Sequence, residues 1–204
     1  AFAAAQAVSE HPGGRFNPLF IYGGVGLGKT HLMHAIGNYI NAKFPQKRIM
    51  YITTDKYIAD YVESIRDSKT SVAFREKYRS VDVLMIDDIQ FIASKQGTQE
   101  ALFHTFNDLY QNDKHIIISS DRPPKEIAPL EERLRTRFQW GLLADIQPPD
   151  IETRIAILKK KADAENFYLS DDVASFIASN KENNIRDLEG LLNKVMFYSQ
   201  LSGQ

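Results

Sequence analysis

Cysteine is absent from the 204 residues of this chain. That absence excludes disulfides, thiolate catalysis and zinc sites with cysteine ligands. A large excess of charge of either sign is also absent, because 25 basic and 26 acidic residues give a net charge of -1. A wholly basic nucleic-acid surface is therefore excluded, and any contact with nucleic acid must come from a local patch.

Long apolar runs are missing as well. No run approaches the roughly 18 residues that a membrane span needs. The alanine-rich start, 1–8, lacks the basic region and the cleavage site of a signal peptide. These absences fit a cytosolic protein. Both ends of the sequence, 1–8 and 201–204, are interpreted as cuts in a longer chain.

Short apolar runs alternate with segments of helical spacing along most of the chain. The runs are typical of buried strands and lie at 19–22, 48–53, 81–86, 115–119 and 140–146. Strands that alternate with helices predict a parallel sheet covered on both faces. Trp140 opens the last run and is expected to be buried there.

This rhythm stops at Gln147-Pro148-Pro149-Asp150, after which only helical patterns follow. The sequence thus predicts a five-stranded parallel α/β domain with flanking helices over 1–147. A small all-α domain, the lid, is expected over 148–204. A helical insert at 55–79 separates the second strand from the third.

One segment fits the phosphate-loop pattern G-x-x-x-x-G-K-[ST], namely Gly23-Gly24-Val25-Gly26-Leu27-Gly28-Lys29-Thr30. Its glycines allow consecutive backbone N–H groups to point at phosphate oxygens, and the following helix adds its positive N-terminal end. Lys29 is expected to reach the β- and γ-phosphates of ATP, and Thr30 to bind Mg²⁺. The expected nucleotide-binding residues of this segment are Gly24, Gly26, Leu27, Gly28, Lys29, Thr30 and His31.

Two carboxylates end the strongly apolar third strand, Val83-Leu84-Met85-Ile86-Asp87-Asp88. After a phosphate loop, this arrangement indicates a nucleoside triphosphatase. Asp87 is the expected partner of Mg²⁺ and also contributes to the nucleotide site. Asp88 is placed to orient the attacking water.

These motifs resemble the AAA+ domain of the DnaA family of bacterial replication initiators. Matching segments keep the family's order over almost the whole chain, at 17–24, 85–91, 103–107, 119–122, 132–138 and 184–190. The resemblance implies an AAA+ P-loop fold that binds ATP or ADP with Mg²⁺. Most AAA+ ATPases carry glutamate at the position of Asp88, so the shorter aspartate predicts a weak ATPase that acts chiefly as a nucleotide switch.

The resemblance also implies roles for residues beyond the phosphate loop. Ser120 and Asp121 match sensor I, close to the γ-phosphate. Arg137 matches the arginine finger, which acts in trans on the ATP of a neighbouring subunit. Arg133 matches an arginine linked to ATP-dependent assembly. Arg186 matches sensor II, which reaches from the lid to the bound triphosphate.

Nucleic-acid contacts are a further implication of the resemblance. The insert matches the initiator-specific element, and Val62 and Lys95 match positions that contact single-stranded DNA. Gly97 stands where the family has a third basic residue. The implied partners are further copies of the chain in head-to-tail order, single-stranded and origin DNA, a replicative helicase or its loader, and regulatory proteins. The family's duplex-reading domain would follow Gln204. The resemblance also implies a bacterial, cytoplasmic protein that associates with the nucleoid.

Three other functions compete with the initiator switch. A helicase loader or regulatory paralogue would share the fold, but the segment 184–190 favours the initiator. A protein-remodelling motor is opposed by Asp88 and by the absence of an aromatic-hydrophobic pore loop. A small-molecule kinase would leave Arg133, Arg137 and the lid unexplained.

Overall fold

The computed structural model describes residues 1–180 and 184–202. Contacts divide the chain into two units. The first unit contains residues 1–23 and 29–146, and the second contains residues 24–28 together with the helical part from residue 147 onward. The middle of the phosphate loop therefore groups with the helical part, from which it is far removed in sequence.

A five-stranded parallel sheet with the order β2-β3-β4-β1-β5 forms the centre of the first unit. Its strands are β1 (Leu19–Tyr22), β2 (Ile49–Thr53), β3 (Val83–Asp87), β4 (His115–Ser120) and β5 (Leu142–Asp145). Because every neighbouring pair is parallel, all the carboxyl ends lie at one edge, where α/β sheets bind their ligands. In the ladder Thr53 is opposite Asp87, and Tyr22 is opposite Ser120.

Helices cover both faces of this sheet. They are α1 (Phe2–Glu10), α2 (Lys29–Lys43), α3 (Thr54–Ser64), α4 (Ser68–Arg79), α5 (Gln96–Gln111) and α6 (Glu132–Gln139), with 3₁₀ turns at Ile89–Ile92 and Pro124–Glu126. Ile116 and Ile118 pack into the core under α3 to α6, whereas Ile117 packs into the core under α1 and α2. Burial on both faces therefore accounts for the apolar run in β4.

The predicted insert consists of α3 and α4, and the Asp60 carboxylate of α3 bonds side chains of α4. Asp60 accepts hydrogen bonds from Lys77 and, at 2.6 Å, from the Tyr78 hydroxyl, and Lys56 Nζ lies 2.9 Å away. Burial alone would raise the pKa of Asp60, but these donors outweigh it and lower the pKa to about 2. The Asp60 carboxylate is therefore ionised at neutral pH and ties the two helices together.

The second unit contains the helices α7 (Ile151–Ala164), α8 (Asp171–Ala178) and α9 (Ile185–Ser202). Asp150 caps α7 by accepting from the Thr153 N–H at 2.8 Å, and Ser170 caps α8. The three helices share a core whose members include Leu158, Ala162, Leu169, Ala174, Ile177, Leu188 and Leu192. The carboxyl end interpreted as a cut falls partly on residues 203 and 204, which lie outside the described residues.

The predicted fold class, a five-stranded parallel sheet with flanking helices followed by a helical segment, is confirmed. One helix, α4, begins earlier than the sequence predicts because its N-terminus is capped. The spacing predicts a helix from Ser71, whereas α4 begins at Ser68, since the Asp67 carboxylate accepts from the Lys69 and Thr70 N–H groups. Over residues 1–180 and 184–202, no helix is both long and apolar enough to cross a membrane.

The expectation that Trp140 is buried in the last strand is wrong. Trp140 follows α6, keeps a backbone hydrogen bond to Arg137, and is 51% exposed. Strand β5 begins only after Gly141, at which a Cβ atom would lie 1.8 Å from the Pro18 carbonyl oxygen. The close approach of the two backbones thus separates Trp140 from the strand that follows.

Candidate nucleotide-binding site

The first unit contributes Lys29 to the phosphate loop. Its side chain is buried, at 7% exposure, and Nζ donates to the Gly23 carbonyl at 2.8 Å. Gly23 has φ 156°, and a Cβ atom there would lie 2.5 Å from the Ile146 carbonyl oxygen. Only glycine therefore fits where the loop leaves β1, and Lys29 lies against the backbone at that point.

Residues 24–28 and the start of α9 meet within the second unit. The Ile185 N–H donates to the Gly26 carbonyl at 3.0 Å, and a Cβ atom at Gly26 would lie 2.9 Å from the Asn184 side-chain oxygen. Gly26 and Gly28 have φ 74° and 93°, the left-handed region that favours glycine. Arg186, exposed on α9, follows the residue that holds the loop. The loop and the expected sensor II residue are thus neighbours.

The Asp87 carboxylate is the most heavily hydrogen-bonded acidic group of the site. It is 3% exposed and accepts from Thr30 Oγ1 at 2.8 Å, from the Tyr51 hydroxyl at 2.7 Å, and from Ser119 Oγ. Burial acts to raise the pKa of Asp87, but these three hydroxyl donors outweigh burial, so the net pKa is lowered. Asp87 is therefore a carboxylate at neutral pH.

Thr30 and Asp87 have the chemistry expected of a magnesium site. Mg²⁺ usually takes only one or two protein oxygens and fills its remaining positions with water and phosphate oxygens. The Thr30 hydroxyl and the Asp87 carboxylate offer two such oxygens 2.8 Å apart, next to the lysine of the loop. The residues present fit a Mg²⁺ ion that accompanies a nucleotide.

Asp88 is held in a fixed orientation. Its φ of 57° is unusual for a residue other than glycine, and its N–H donates to Ser119 Oγ at 2.8 Å. The Gln90 side chain links two functional segments, since Nε2 donates to Asp88 Oδ1 at 3.2 Å and Oε1 accepts from the Asp121 N–H at 3.2 Å. Gln90 therefore links Asp88, at the end of β3, to Asp121, at the end of β4, by hydrogen bonds.

Asp121 does not contact the other carboxylates through its side chain. Arg122 donates to its two oxygens at 2.7 and 2.8 Å, and this pairing lowers the pKa of Asp121. Ser120 Oγ accepts from the Arg122 N–H at 3.3 Å. Of the three polar residues at the end of β4, Ser119 rather than Ser120 or Asp121 contacts Asp87 through its side chain.

Sequence reasoning overlooked three residues of this site. Tyr51 and Ser119 each bond Asp87, and Gln90 bridges Asp88 to the β4 end. Gln90 and Ser119 lie in segments that resemble the family, at 85–91 and 119–122, and this resemblance was their only sequence signal. The hydrophobic pattern of one β-strand does not show which strands are its neighbours. The contacts of Tyr51 and Ser119 with Asp87 follow from the pairing of β2 and β4 with β3.

The two arginines expected to act in assembly differ in their contacts. Arg133 is exposed and its guanidinium pairs with Glu131 at 2.7 Å and with Glu100 at 3.9 Å. Arg137 is half-buried, and within the described ranges it forms no ion pair with a carboxylate. Its guanidinium carbon lies 3.6 Å from the Trp140 ring centroid and 5.7 Å from that of Phe103.

The residues expected to touch single-stranded DNA are exposed. Val62, on α3, is 47% exposed, and Lys95 precedes α5. A Cβ atom at Gly97 would lie 2.9 Å from the Tyr61 hydroxyl, so the end of α3 approaches the start of α5. His31, on the first turn of α2, is exposed too.

Comparison with known proteins agrees with these features. A sequence model described as the bacterial DnaA ATPase domain matches residues 1–145. The chromosomal replication initiator protein DnaA of Caldanaerobacter subterraneus subsp. tengcongensis is 58% identical over 202 residues, which cover 99% of this chain and 45% of that protein. The chain thus spans less than half the length of that relative.

Solved structures give the same result. Domain III of the replication initiation protein DnaA from Thermotoga maritima has 48% identity and a TM-score of 0.94, and the match covers 100% of this chain and 84% of that one. A replication initiator DnaA bound to AMPPCP and single-stranded DNA has 36% identity and a TM-score of 0.86, covering 96% of this chain and 60% of that one.

Proposed function

This chain belongs to the bacterial DnaA ATPase domain family, and on that premise we propose that it is an ATP-binding, slowly hydrolysing switch for the initiation of DNA replication. The observation that carries the proposal is the ionised, buried Asp87 bonded to Thr30 of the phosphate loop. Backbone N–H groups of residues 24–28 bind the phosphates, Lys29 neutralises the β- and γ-phosphates, and Thr30 and Asp87 hold Mg²⁺. The ion supplies charge neutralisation when it is bound.

Hydrolysis in this proposal is slow. Asp88 orients the attacking water, and the left-handed backbone and the Gln90 contact fix where its short side chain points. The Asp121 N–H donates to the same Gln90 side chain, and in this proposal Asp121 senses the γ-phosphate. Arg186 follows Ile185, whose N–H donates to the Gly26 carbonyl of the loop, and in this proposal Arg186 contacts the bound nucleotide.

Assembly uses ATP as its signal. Arg137 has no carboxylate partner in the described part of the chain, and in this proposal its terminal NH₂ groups bond the nucleotide of a second copy, with Arg133 beside it. The face that donates an arginine differs from the face that receives it, so the contact is head-to-tail and generates an open filament or ring. One relative was solved with an ATP analogue and single-stranded DNA together, and this chain engages single strands of origin DNA through Val62 and Lys95.

Replication partners complete the proposal. An initiator that opens origin DNA must hand the strands to a replicative helicase or its loader, and regulatory proteins would act on its nucleotide state. These partners are proposed for the whole protein, because this chain matches only 45% of the length of the Caldanaerobacter relative.

Sedimentation of the 204-residue chain tests the switch. We expect oligomers with AMPPCP and Mg²⁺, monomers with ADP, and further growth when single-stranded DNA is added to the AMPPCP form. Arg137→Ala should bind AMPPCP with nearly unchanged affinity and stay monomeric. Identical particles with both nucleotides, or normal assembly by Arg137→Ala, would contradict the proposal.

A further inference from the structure

Three arginines lie on α6, and two of them are neutralised by carboxylates of the same chain. Arg133 pairs with Glu131, and Arg135 bonds Glu132 at 2.5 Å and the Leu130 carbonyl at 3.0 Å. Guanidinium groups held in this way have N–H donors already engaged. A phosphate that approached them would have to compete with these partners.

Arg137 is held by aromatic rings instead. Its guanidinium carbon is 3.6 Å from the Trp140 ring centroid, and the Phe103 ring lies 5.7 Å away on α5. At 3.6 Å a steep tilt would drive a guanidinium nitrogen into the indole, so the group lies roughly face to face with the ring. Its Nε is buried and has no hydrogen-bond partner among the described residues. Ring contact alone therefore sets its position within this part of the chain.

The rings are themselves fixed by the first unit. Trp140 packs edge-on against Tyr110 of α5, with centroids 5.6 Å apart, and Tyr110 stacks on the buried Phe106. Phe103 is half-buried on the same helix and also lies 4.6 Å from the Arg133 guanidinium. Helix α5 therefore supports both rings that contact Arg137.

We propose that Phe103 and Trp140 are positioning residues for Arg137, which they hold by the face of its guanidinium. Cation–π contact attracts the charge without occupying the N–H donors, which lie in the guanidinium plane. Arg137 is thereby kept ordered and yet free to bond a phosphate carried by a second copy of the chain. The inference rests on the proposed function, because it assigns the two rings to the same ATP-dependent contact.

Assembly of ring variants tests this inference. In Trp140→Leu and Phe103→Leu we expect the protein concentration for half-assembly with AMPPCP to rise about tenfold, the scale of one partly desolvated cation–π contact. Affinity of the monomer for AMPPCP, measured by calorimetry, should not change. Trp140→Phe keeps a ring and should restore most of the assembly. Tyr39→Leu is the matched control, since it removes a ring 5.5 Å from Lys43 Nζ on α2.

Fluorescence tests the contact without altering either ring. Trp140 is the one tryptophan of the sequence, so the emission of the chain reports on this site alone. Arg137→Ala should raise the acrylamide quenching constant of the nucleotide-free protein, because the indole face loses its cover. Assembly with AMPPCP should shift the emission of the wild type but not that of Arg137→Ala.

The outcomes separate the two proposals. Normal assembly by both ring variants, with loss of assembly in Arg137→Ala, would overturn the role of the rings and leave the switch intact. An unchanged quenching constant in Arg137→Ala would also overturn it, even if a ring variant fails to fold. Normal assembly by Arg137→Ala would instead overturn the switch, and the positioning role with it.

Discussion

The ends of strands β3 and β4 and the outer face of α6 treat their charged groups in opposite ways. Asp87 is 3% exposed and receives three hydroxyl donors from its own chain. Arg137 is half-buried and contacts two rings, but no carboxylate in the described part of the chain. Hydrogen bonds within the chain satisfy Asp87, whereas no carboxylate of the described residues neutralises Arg137.

This contrast indicates which side of the site the proposed second copy would complete. A buried carboxylate must be hydrogen-bonded within the fold, since leaving it unsatisfied is costly. Ring contact stabilises the charge of the half-buried guanidinium, whose buried Nε has no hydrogen-bond partner among the described residues. We infer that the acidic side of the site is ready in a single chain and that the basic side is completed by assembly.

The largest effect is expected at Lys29, because the contrast between the two regions requires the phosphate loop to bind nucleotide. Lys29→Ala removes a buried ammonium next to the loop, and we expect ATP affinity to fall by two orders of magnitude or more, since losing one member of a buried charge pair costs about 2–5 kcal/mol. Calorimetry with AMPPCP measures this. Lys43→Ala, in the last turn of the same helix, is the control, and equal affinities for the two variants would disprove the phosphate-loop assignment.

Acid should lower the free energy of unfolding through the buried His115. His115 begins β4, and burial with the nearby Lys47 charge lowers its pKa from 6.5 to about 4. The unfolded chain therefore binds an extra proton as the pH falls from 6.5 to 4, and the free energy of unfolding should drop by about 3 kcal/mol over that window.

Denaturant titrations at several pH values check this. His115→Gln keeps an acceptor for the Gly13 N–H, which donates to Nδ1 at 3.0 Å, and should flatten the slope. His34→Gln, at an exposed site, should not. The same slope in all three proteins would rule out His115 as its source.

Ser119 should be more important than its neighbour. Ser119→Ala removes a donor to Asp87 and an acceptor for the Asp88 N–H, so we expect about 1–3 kcal/mol of destabilisation. Ser120→Ala removes only an acceptor for the Arg122 N–H and should cost less. Because the Asp87 pKa would rise toward its value in the unfolded chain, the part of the stability that Asp87 loses in acid should be smaller in Ser119→Ala. Equal unfolding curves for the two variants would count against the bonding at Asp87.

The smallest effect is expected on the open surface. Lys95→Ala should weaken single-strand binding several-fold at low salt and reduce the slope of log K against log salt by about 0.7, the value for one phosphate contact. Fluorescence anisotropy of a labelled oligonucleotide measures both quantities, with Lys43→Ala as the control. An unaltered slope would remove Lys95 from the interface.

The fold was largely predictable because its signals are local. Three consecutive isoleucines predict β4, and apolar runs alternating with helical segments predict a parallel sheet. The order of the strands was not predictable in this way, because it depends on contacts between distant segments. The error at Trp140 arose from Gly141, whose need to approach Pro18 cannot be read from hydrophobicity.

The site was predictable where a motif fixes the spacing. Lys29, Thr30 and Asp87 follow from the loop and the strand end, and the structure brings Thr30 and Asp87 together. Ser119 depends on the register between strands. The difference between Arg133 and Arg137 could not be read from sequence, since acidic residues precede both. Arg133 reaches the Glu131 carboxylate, whereas Arg137 lies against the Trp140 ring.

Gly97 couples two positions of this surface. A side chain at position 97 would place its Cβ atom 2.9 Å from the Tyr61 hydroxyl, and Tyr61 is itself packed against Phe74. The end of the Tyr61 side chain must therefore shift to accommodate any residue larger than glycine at position 97. Substitutions at positions 61 and 97 should consequently have non-additive effects, and an engineered cation at position 97 would be best combined with a shorter side chain at position 61.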